Sequence, residues 1–142
     1  MSFSPSSSLI STSEIRIPRP ECRIVRVKMY QEEIKPGIRS IHIKGRLDIL
    51  GVEKIEVQFG EMTTFAKESV IVDLTEVELL SSAGLGMLIA NANNLKSQGK
   101  VLILLRPQTR VERVIRIACL DELLPIEFDV TMALKRITAI RN

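Results

Sequence analysis

The sequence has few of the residues on which several classes of protein depend. Its 142 residues include no tryptophan, and aromatic residues make up 4%, so the core must be aliphatic and little is available for stacking single-stranded nucleic acid. The two cysteines, Cys22 and Cys119, are far apart and lack metal-ligand spacing. With His42 as the one histidine, this composition argues against a disulfide-dependent scaffold and against a zinc site.

Long apolar runs and blocks of like charge are also missing. No apolar run approaches the roughly 18 residues that a membrane span requires. The segment 1–13 lacks the basic region and apolar stretch of a secretory signal. The formal net charge is +3, and the basic residues are scattered. We therefore expect a cytoplasmic protein that has no membrane span and does not bind nucleic acid directly.

The residues that are present fit one folded domain preceded by a tail. Hydrophobic residues make up 45% of the chain and charged residues 26%, as in an ordinary globular protein. The segment 1–21 is rich in serine and contains Pro18 and Pro20. We expect a disordered tail over 1–21 and the folded domain over 22–142.

Apolar patterns of two kinds predict the strands of a sheet. Residues 22–30 and 40–45 alternate between apolar and polar side chains on either side of a turn signal, which predicts an antiparallel hairpin. This alternation places His42 on the polar face, so an exposed surface histidine is expected rather than a functional one. The stretches 70–74 and 101–105 are almost entirely apolar, which predicts strands buried on both faces.

The first two helices are predicted from apolar residues that recur every three or four positions. Asp48 is placed to cap the first helix. The apolar stripe of that helix consists of Val52, Ile55, Phe59, Met62, Phe65 and Ala66. The second helix is expected from Ser82 to about Ser97, with Gly99 as a left-handed cap.

Two further helices and a short edge strand are predicted near the end of the chain. Thr109 is a candidate N-cap for the third helix, and Cys119 falls in its apolar pattern, where we expect it to be buried. After an edge strand at 125–128, the last helix begins at Asp129 or Thr131. Its expected inward residues are Ala133, Leu134, Ile137 and Ile140. Strands and helices that alternate in this way predict an α/β fold with parallel crossovers.

A pair of serines stands between the apolar strand at 70–74 and the second helix. Ser81 and Ser82 place hydroxyl groups at a helix N-terminus, where free N–H groups and the helix dipole favour negative charge. Capping of the helix explains such serines without any further function. A phosphate at this position would add about −1.5 to −2 charges without unfolding the domain. The residues alone leave both interpretations open.

No catalytic constellation accompanies this pair. The residues around Ser82 do not follow the Gly-x-Ser-x-Gly pattern, and no glycine-rich loop with a lysine is present to cradle a phosphate. We expect no catalytic residue and no cofactor, although a small hydrolase that uses Ser82 is one alternative. Arg110, Arg113 and Arg116 form a basic stripe, which is either a solvated face or a partner-facing surface.

Taken in order, these motifs resemble a STAS domain of the anti-sigma factor antagonist type. The similar pieces are Gly45-Arg46-Leu47-Asp48, the strand end at Asp73-Leu74-Thr75, the run from Ser81 to Gly86, and the ending at 123–134. The resemblance covers roughly residues 23–140. It implies a single α/β domain in which about four helices pack on a mixed β-sheet.

The resemblance implies a regulator of transcription that is not an enzyme. In this family the dephosphorylated antagonist binds an anti-sigma factor that is also a serine kinase, phosphorylation at the helix start releases it, and a phosphatase resets the cycle. By motif, the phosphoacceptor is Ser82, or less favourably Ser81, and the partner-binding residues are Asp48, Ser81, Ser82 and Gly84. Ser81 occupies the position where the family usually has aspartate. The alternative function is therefore a ligand-sensing or scaffold module that is not phosphorylated.

Overall fold

The computed structural model describes residues 26–141, in which five strands and four helices follow one another. The strands are β1 (Val27–Lys35), β2 (Ile38–Leu47), β3 (Val70–Leu80), β4 (Leu102–Leu105) and β5 (Ile126–Glu127). The helices are α1 (Ile49–Thr64), α2 (Ser82–Lys96), α3 (Thr109–Ile117) and α4 (Val130–Arg141). The expected tail over 1–21, and the start of the expected first strand at 22–25, lie outside the described residues.

The strands form one mixed sheet in the order β1-β2-β3-β4-β5. β1 and β2 are an antiparallel hairpin, and every later neighbour is parallel, which confirms the predicted α/β class and mixed sheet. Leu47 and Leu80 are register partners, so β2 and β3 end at the same level. Because each of these strands is followed directly by a helix, α1 and α2 begin beside one another.

β3 is longer than the sequence suggested. The expected connection after Leu74 is strand as far as Leu80, because β2 extends to Leu47 and offers it a partner. Val77 and Leu80 point into the core, whereas Glu76 and Glu78 are exposed and Leu79 is half-buried. The longer strand carries the two serines to the edge of the sheet.

Apolar side chains are buried on both faces of the sheet. The larger cluster joins one face to α1, α2 and α3, and it includes Phe59, Leu88 and Ile115. The smaller cluster lies between the other face and α4, and consists of Ile38, Ile71, Ile103, Leu105, Ala133 and Ile137. Each fully buried aliphatic side chain contributes about 1.5–3 kcal/mol, so the larger cluster dominates the stability of the domain.

Several expected helix residues lie elsewhere. Phe65 is 77% exposed, because α1 ends at Thr64 and Phe65 is the residue that caps it. Cys119 is exposed rather than buried, since α3 ends at Ile117 and Cys119 takes a positive φ of 58° just beyond it. Ile140 is 45% exposed, although it was expected to face inward.

The helix ends show where local signals succeed and fail. Thr109 is the first helical residue and not the cap; Gln108 holds the cap position and makes no side-chain cap hydrogen bond. Asp129 accepts a hydrogen bond from Thr131 N at 2.8 Å at the start of α4, and Gly99 has the expected positive φ, +76°, after α2. Among residues 26–141, no helix combines the length and the apolar character needed to cross a membrane.

Candidate functional site

The candidate site is the edge of the sheet where α1 and α2 begin. The backbone N–H of Ser81 donates to the carbonyl oxygen of Leu47 at 2.9 Å, which ties the start of α2 to the end of β2. Leu47 is followed at once by Asp48, so the predicted partner-binding residues Asp48, Ser81, Ser82 and Gly84 meet around one carbonyl group. The parallel pairing of β2 and β3 brings them together from positions that are far apart in the sequence.

Asp48 caps α1, as the sequence predicts. Its backbone is extended, and Oδ1 accepts a hydrogen bond from Gly51 N at 2.8 Å, which satisfies one of the free N–H groups of the first turn. The second carboxylate oxygen, Oδ2, lies 3.4 Å from Nε of Arg46. Both oxygens of this half-buried carboxylate therefore have partners.

Ser81 caps α2 and is bonded in two directions. Its Oγ accepts from Gly84 N at 3.2 Å and donates to the carbonyl oxygen of Leu47 at 2.6 Å. The Leu47 carbonyl thus accepts from both the N–H and the hydroxyl of Ser81. An aspartate at this position could accept from Gly84, but an ionised carboxylate has no proton to donate to Leu47.

Ser82 is the first residue of α2, and its side chain is exposed. Within the described part of the chain, its hydroxyl makes no hydrogen bond, so it is open to a second molecule. The helix dipole places partial positive charge at this position, where a phosphate would be tolerated. The two neighbouring serines therefore have different environments, although they have the same chemistry.

Gly84 is buried and shapes the site through close packing. A Cβ at this position would lie 2.9 Å from the carbonyl oxygen of Leu47 and 2.9 Å from Cδ1 of Leu80. Glycine lets the first turn of α2 approach the end of β2 closely enough for Ser81 to reach Leu47. The contribution of Gly84 to a docking surface is thus indirect, since it presents no side chain.

The sequence-based search missed one exposed apolar residue at this edge. Ile49 is the first residue of α1 and is 65% exposed, directly after the capping Asp48. It lies off the buried stripe that contains Val52 and Ile55. The sequence signal that could have identified Ile49 is a large apolar residue that directly follows a helix cap and lies outside the inward-facing stripe. Ile49 therefore presents an exposed apolar side chain at the edge where α1 and α2 begin.

The outer face of α2 carries small, uncharged residues. Those exposed before the last turn are Ser82, Gly86, Ala90 and Asn93. The first charged residue of the helix is Lys96, in its last turn. A second protein could approach this face without desolvating a charge.

His42 lies on the polar face of the sheet, as predicted, but its side chain is only 21% exposed. Nδ1 is 3.1 Å from Oδ2 of Asp73, and Nε2 is 2.7 Å from Oε1 of Glu32, although this second contact lacks hydrogen-bond alignment. The ring stacks on Tyr30, with centroids 4.6 Å apart. Within residues 26–141, His42 has no hydrogen bond or ion pair with a serine, so the structure gives no support to a hydrolase that uses Ser82.

The basic stripe of α3 is exposed and partly neutralised. Arg116 Nε is 2.7 Å from Oε2 of Glu112, and Arg116 NH1 is 3.7 Å from Oδ2 of Asp121. Arg110 and Arg113 point into solvent on the same helix. This arrangement is typical of a solvated helix face.

Both the sequence and the fold of this chain are similar to those of known proteins. The sequence matches the STAS domain family over residues 30–133. An anti-sigma factor antagonist from Mycobacterium paratuberculosis superimposes with a TM-score of 0.71 and 22% identity, over 89% of this chain and 100% of that one. The unphosphorylated anti-sigma factor antagonist SpoIIAA gives 0.65 and 22%, over 81% and 100%. The phosphorylated Bacillus cell fate determinant SpoIIAA gives 0.60 and 20%, over 78% and 99%.

At these identities the superpositions show a shared fold. The match to the family covers more than half of the chain and includes both helix starts of the candidate site. The solved structures that share its architecture include anti-sigma factor antagonists. This chain belongs to the STAS domain family.

Proposed function

We propose that this chain is an anti-sigma factor antagonist, and that phosphorylation of Ser82 switches off its binding to an anti-sigma factor with serine kinase activity. The observation that carries the proposal is the contrast between the two serines. Ser82 is exposed at the first position of α2, whereas the hydroxyl of Ser81 is bonded to Leu47 and Gly84. A kinase therefore has one accessible hydroxyl at this edge.

Phosphorylation of Ser81 would be costly for the fold. A phosphate on its Oγ would remove the proton donated to Leu47 and would crowd the cap of α2. Loss of an N-cap alone costs about 0.5–2 kcal/mol. A phosphate on Ser82 would instead extend into solvent from the positive end of the helix dipole. This difference supports Ser82 as the acceptor, with Ser81 as its structural neighbour.

The expected effect of the phosphate is on binding and not on folding. The proposed docking surface comprises Asp48, Ser81, Ser82 and Gly84, the exposed Ile49, and the uncharged outer face of α2. About −1.5 to −2 charges introduced in its centre would have to be desolvated when the partner docks. The antagonist would then dissociate, and the anti-sigma factor would again be free to hold its sigma factor.

In this proposal the chain acts by binding and performs no chemistry of its own. The partner supplies the kinase activity, and a phosphatase restores the unmodified serine. The protein works in the cytoplasm as a regulator of transcription, with no cofactor and no direct contact with nucleic acid. A non-phosphorylated sensor or scaffold, suggested by Ser81 in place of the family's aspartate and by the arginine stripe of α3, is the alternative function. That stripe is partly neutralised by Glu112 and Asp121.

Phosphate mapping tests the acceptor directly. The chain is incubated with ATP and an anti-sigma factor of the serine kinase type from the same organism, and the modified residue is located by mass spectrometry. We expect one phosphate, on Ser82, in the wild type and none in a Ser82→Ala variant. Modification of Ser81 with Ser82 untouched would refute the assignment, and no modification at either serine would refute the switch.

A charge substitution tests the docking surface with a matched control. Ser82→Glu should weaken binding to the anti-sigma factor, measured by isothermal titration calorimetry, while the melting temperature stays nearly constant. Ser97→Glu introduces the same charge at the opposite end of α2, where Ser97 is exposed, and should leave binding unchanged. Equal binding by the wild type and Ser82→Glu would place the docking surface elsewhere.

A further inference from the structure

Basic side chains converge on two adjoining cavities at the end of the sheet where β1 begins. The cavities have volumes of about 350 and 430 Å³ and share Arg26, Gly45 and Glu78 in their walls. Their basic lining residues are Arg26, Lys28, Lys44, Arg46 and Lys54. Three separate elements supply these residues, since β1, β2 and α1 each contribute at least one lysine. The convergence is therefore a product of the fold and not of a charged run in the sequence.

Gly45 brings the two strands together at this point. It has a φ of +114°, and a Cβ on it would fall 1.6 Å from the carbonyl oxygen of Arg26. No other residue type allows the two backbones to approach so closely. The β2 strand is also irregular on both sides of Gly45, because its register with β3 shifts between His42 and Lys44 and between Gly45 and Arg46. Gly45 lines both cavities at this irregular point of the strand.

Two of these lysines lie where their positive charges repel each other. Lys28 and Lys44 are direct register partners on adjacent strands. Like charges directly opposite each other destabilise a sheet. Within residues 26–141, neither Lys28 nor Lys54 forms an ion pair, and Lys44 has only a loose one, at 3.8 Å from Oε2 of Glu76. An anion bound between Lys28 and Lys44 would relieve their repulsion.

The remaining charges define what kind of anion fits. Arg46 Nε pairs with Asp48 at 3.4 Å, and the carboxylate of Glu78 lies in the wall of both cavities. With Asp48, Glu76 and Glu78 counted against Lys28, Lys44, Arg46 and Lys54, the cluster stays positive. Glu78 would repel a ligand that is anionic throughout, but it would accept hydrogen bonds from hydroxyl groups.

We propose that this basic cavity binds a small phosphorylated molecule that also carries hydroxyl groups. The phosphate lies between Lys28 and Lys44, Lys54 adds positive charge from the wall of the same cavity, and Glu78 accepts hydrogen bonds from hydroxyl groups of the same ligand. A concave site of this volume selects a compact ligand over a flat acidic protein surface. The residues that line the cavity are not among those of the proposed docking surface around Ser82, and the two are linked by charge only through the pair between Arg46 and Asp48.

The test is a titration with ribose 5-phosphate followed by amide NMR shifts, at constant ionic strength. We expect saturable shifts at Lys28, Gly45 and Lys54, weaker binding of inorganic phosphate, and no saturable shifts with ribose. Vesicles of phosphatidylglycerol are included as a second source of the same phosphate chemistry; binding to vesicles without binding to ribose 5-phosphate would overturn the proposal. Shifts that sodium chloride reproduces would also overturn it, since they would report screening alone.

Substitutions of the lining residues test whether the ligand binds in this cavity. Lys44→Gln combined with Lys54→Gln should weaken ribose 5-phosphate binding by about fivefold or more, which is about 1 kcal/mol. The control, Lys96→Gln combined with Lys135→Gln, removes the same charge from exposed positions outside the cavity and should change binding by less than about twofold. Glu78→Gln should reduce the ratio of the affinity for ribose 5-phosphate to the affinity for inorganic phosphate. Equal weakening by both double variants would show a net-charge effect and refute the site.

Discussion

The starts of α1 and α2 are built alike and differ in what they expose. In each, the residue after a strand caps the helix and accepts a hydrogen bond from the glycine three positions later, Asp48 from Gly51 at 2.8 Å and Ser81 from Gly84 at 3.2 Å. In each, the position after the cap is exposed. That position holds Ile49 in α1 and a serine in α2. A shared structural frame therefore presents an apolar contact at one helix and a modifiable hydroxyl at the other.

The comparison separates structural positions from positions that are free to vary. The caps and glycines are tied to the backbone of β2, since a Cβ on Gly51 would meet the carbonyl oxygen of Arg46, and one on Gly84 would meet that of Leu47. The exposed position between them has no such constraint. The caps also differ, because a serine can donate to a carbonyl while a carboxylate needs a cation, which Arg46 supplies to Asp48. Four groups of substitutions test this division.

The largest effect is expected from alanine at the two glycines. In Gly51→Ala the new Cβ would lie 2.2 Å from the carbonyl oxygen of Arg46, and in Gly84→Ala it would lie 2.9 Å from that of Leu47. Overpacking of this kind costs about 1–3 kcal/mol, and more where backbone must move. We expect a loss of about 3 kcal/mol for Gly51→Ala and about 1–2 kcal/mol for Gly84→Ala in the free energy of unfolding, measured by urea denaturation.

Gly86→Ala is the matched control for both. It lies in the first half of α2, and nothing is within 4 Å of the position that its Cβ would occupy. Alanine there should stabilise the domain by about 0.5–1 kcal/mol through helix propensity. If Gly51→Ala lowers the free energy of unfolding no more than Gly86→Ala does, α1 does not approach the backbone of β2 closely at Gly51.

Removal of the caps should have the next largest effect. Ser81→Ala loses the acceptor for Gly84 N and the donor to Leu47, whereas Asp48→Ala loses one cap hydrogen bond and an exposed ion pair. We expect about 1–2 kcal/mol for Ser81→Ala and about 1 kcal/mol for Asp48→Ala. Thermal and urea unfolding of both variants measure these losses in the free energy of unfolding. A larger loss for Asp48→Ala than for Ser81→Ala would mean that the hydrogen bond from Ser81 to Leu47 contributes little.

Ile49→Ser makes the exposed position of α1 resemble that of α2. Because Ile49 is 65% exposed, the free energy of unfolding should change by less than about 0.5 kcal/mol. If the proposed docking surface includes this side chain, affinity for the anti-sigma factor should fall by about tenfold, which is the loss of roughly 1.4 kcal/mol of apolar contact. Calorimetric titration measures this change. Val57→Ser, an exposed apolar position further along α1, is the control and should leave affinity intact.

Ser82→Ala should have the smallest effect on folding and on binding to the unmodified partner. The hydroxyl has no bond to lose within the described residues, so stability should stay within about 0.5 kcal/mol of the wild type. The variant should bind the anti-sigma factor and remain bound after ATP is added, as followed by analytical size exclusion. Release of the variant by ATP would show that another residue carries the switch.

The local pattern predicted those features whose cause is also local. Alternation identified the β1–β2 hairpin, and Asp48 and Gly99 were identified as helix ends, because each depends on contacts within a few residues. The strand from Thr75 to Leu80 was not predicted, since its stability comes from pairing with the second half of β2. Cys119 was misplaced because α3 ends at Ile117 in a turn that apolar spacing does not indicate, in which Cys119 has a positive φ and Leu120 N donates to the carbonyl oxygen of Ile115.

His42 shows the same division on the polar face of the sheet. Alternation along β2 placed it opposite the buried isoleucines, and the structure agrees. The side chain is nonetheless largely covered, because Tyr30 from β1 and Asp73 from β3 reach it from either side. A single strand's pattern gives the direction of a side chain, but the residues that cover it come from its neighbours.

The amino-acid sequence alone predicts two hydroxyl groups at the start of a helix that follows an apolar strand. Capping chemistry alone could not distinguish them, since both serines fit a helix N-terminus, and only the resemblance to the family favoured Ser82. The tertiary structure gives the two serines different environments. Because β2 and β3 end at the same level, the hydroxyl of Ser81 donates to a carbonyl group 34 residues earlier in the chain. That hydrogen bond turns one hydroxyl inward and leaves Ser82 facing solvent.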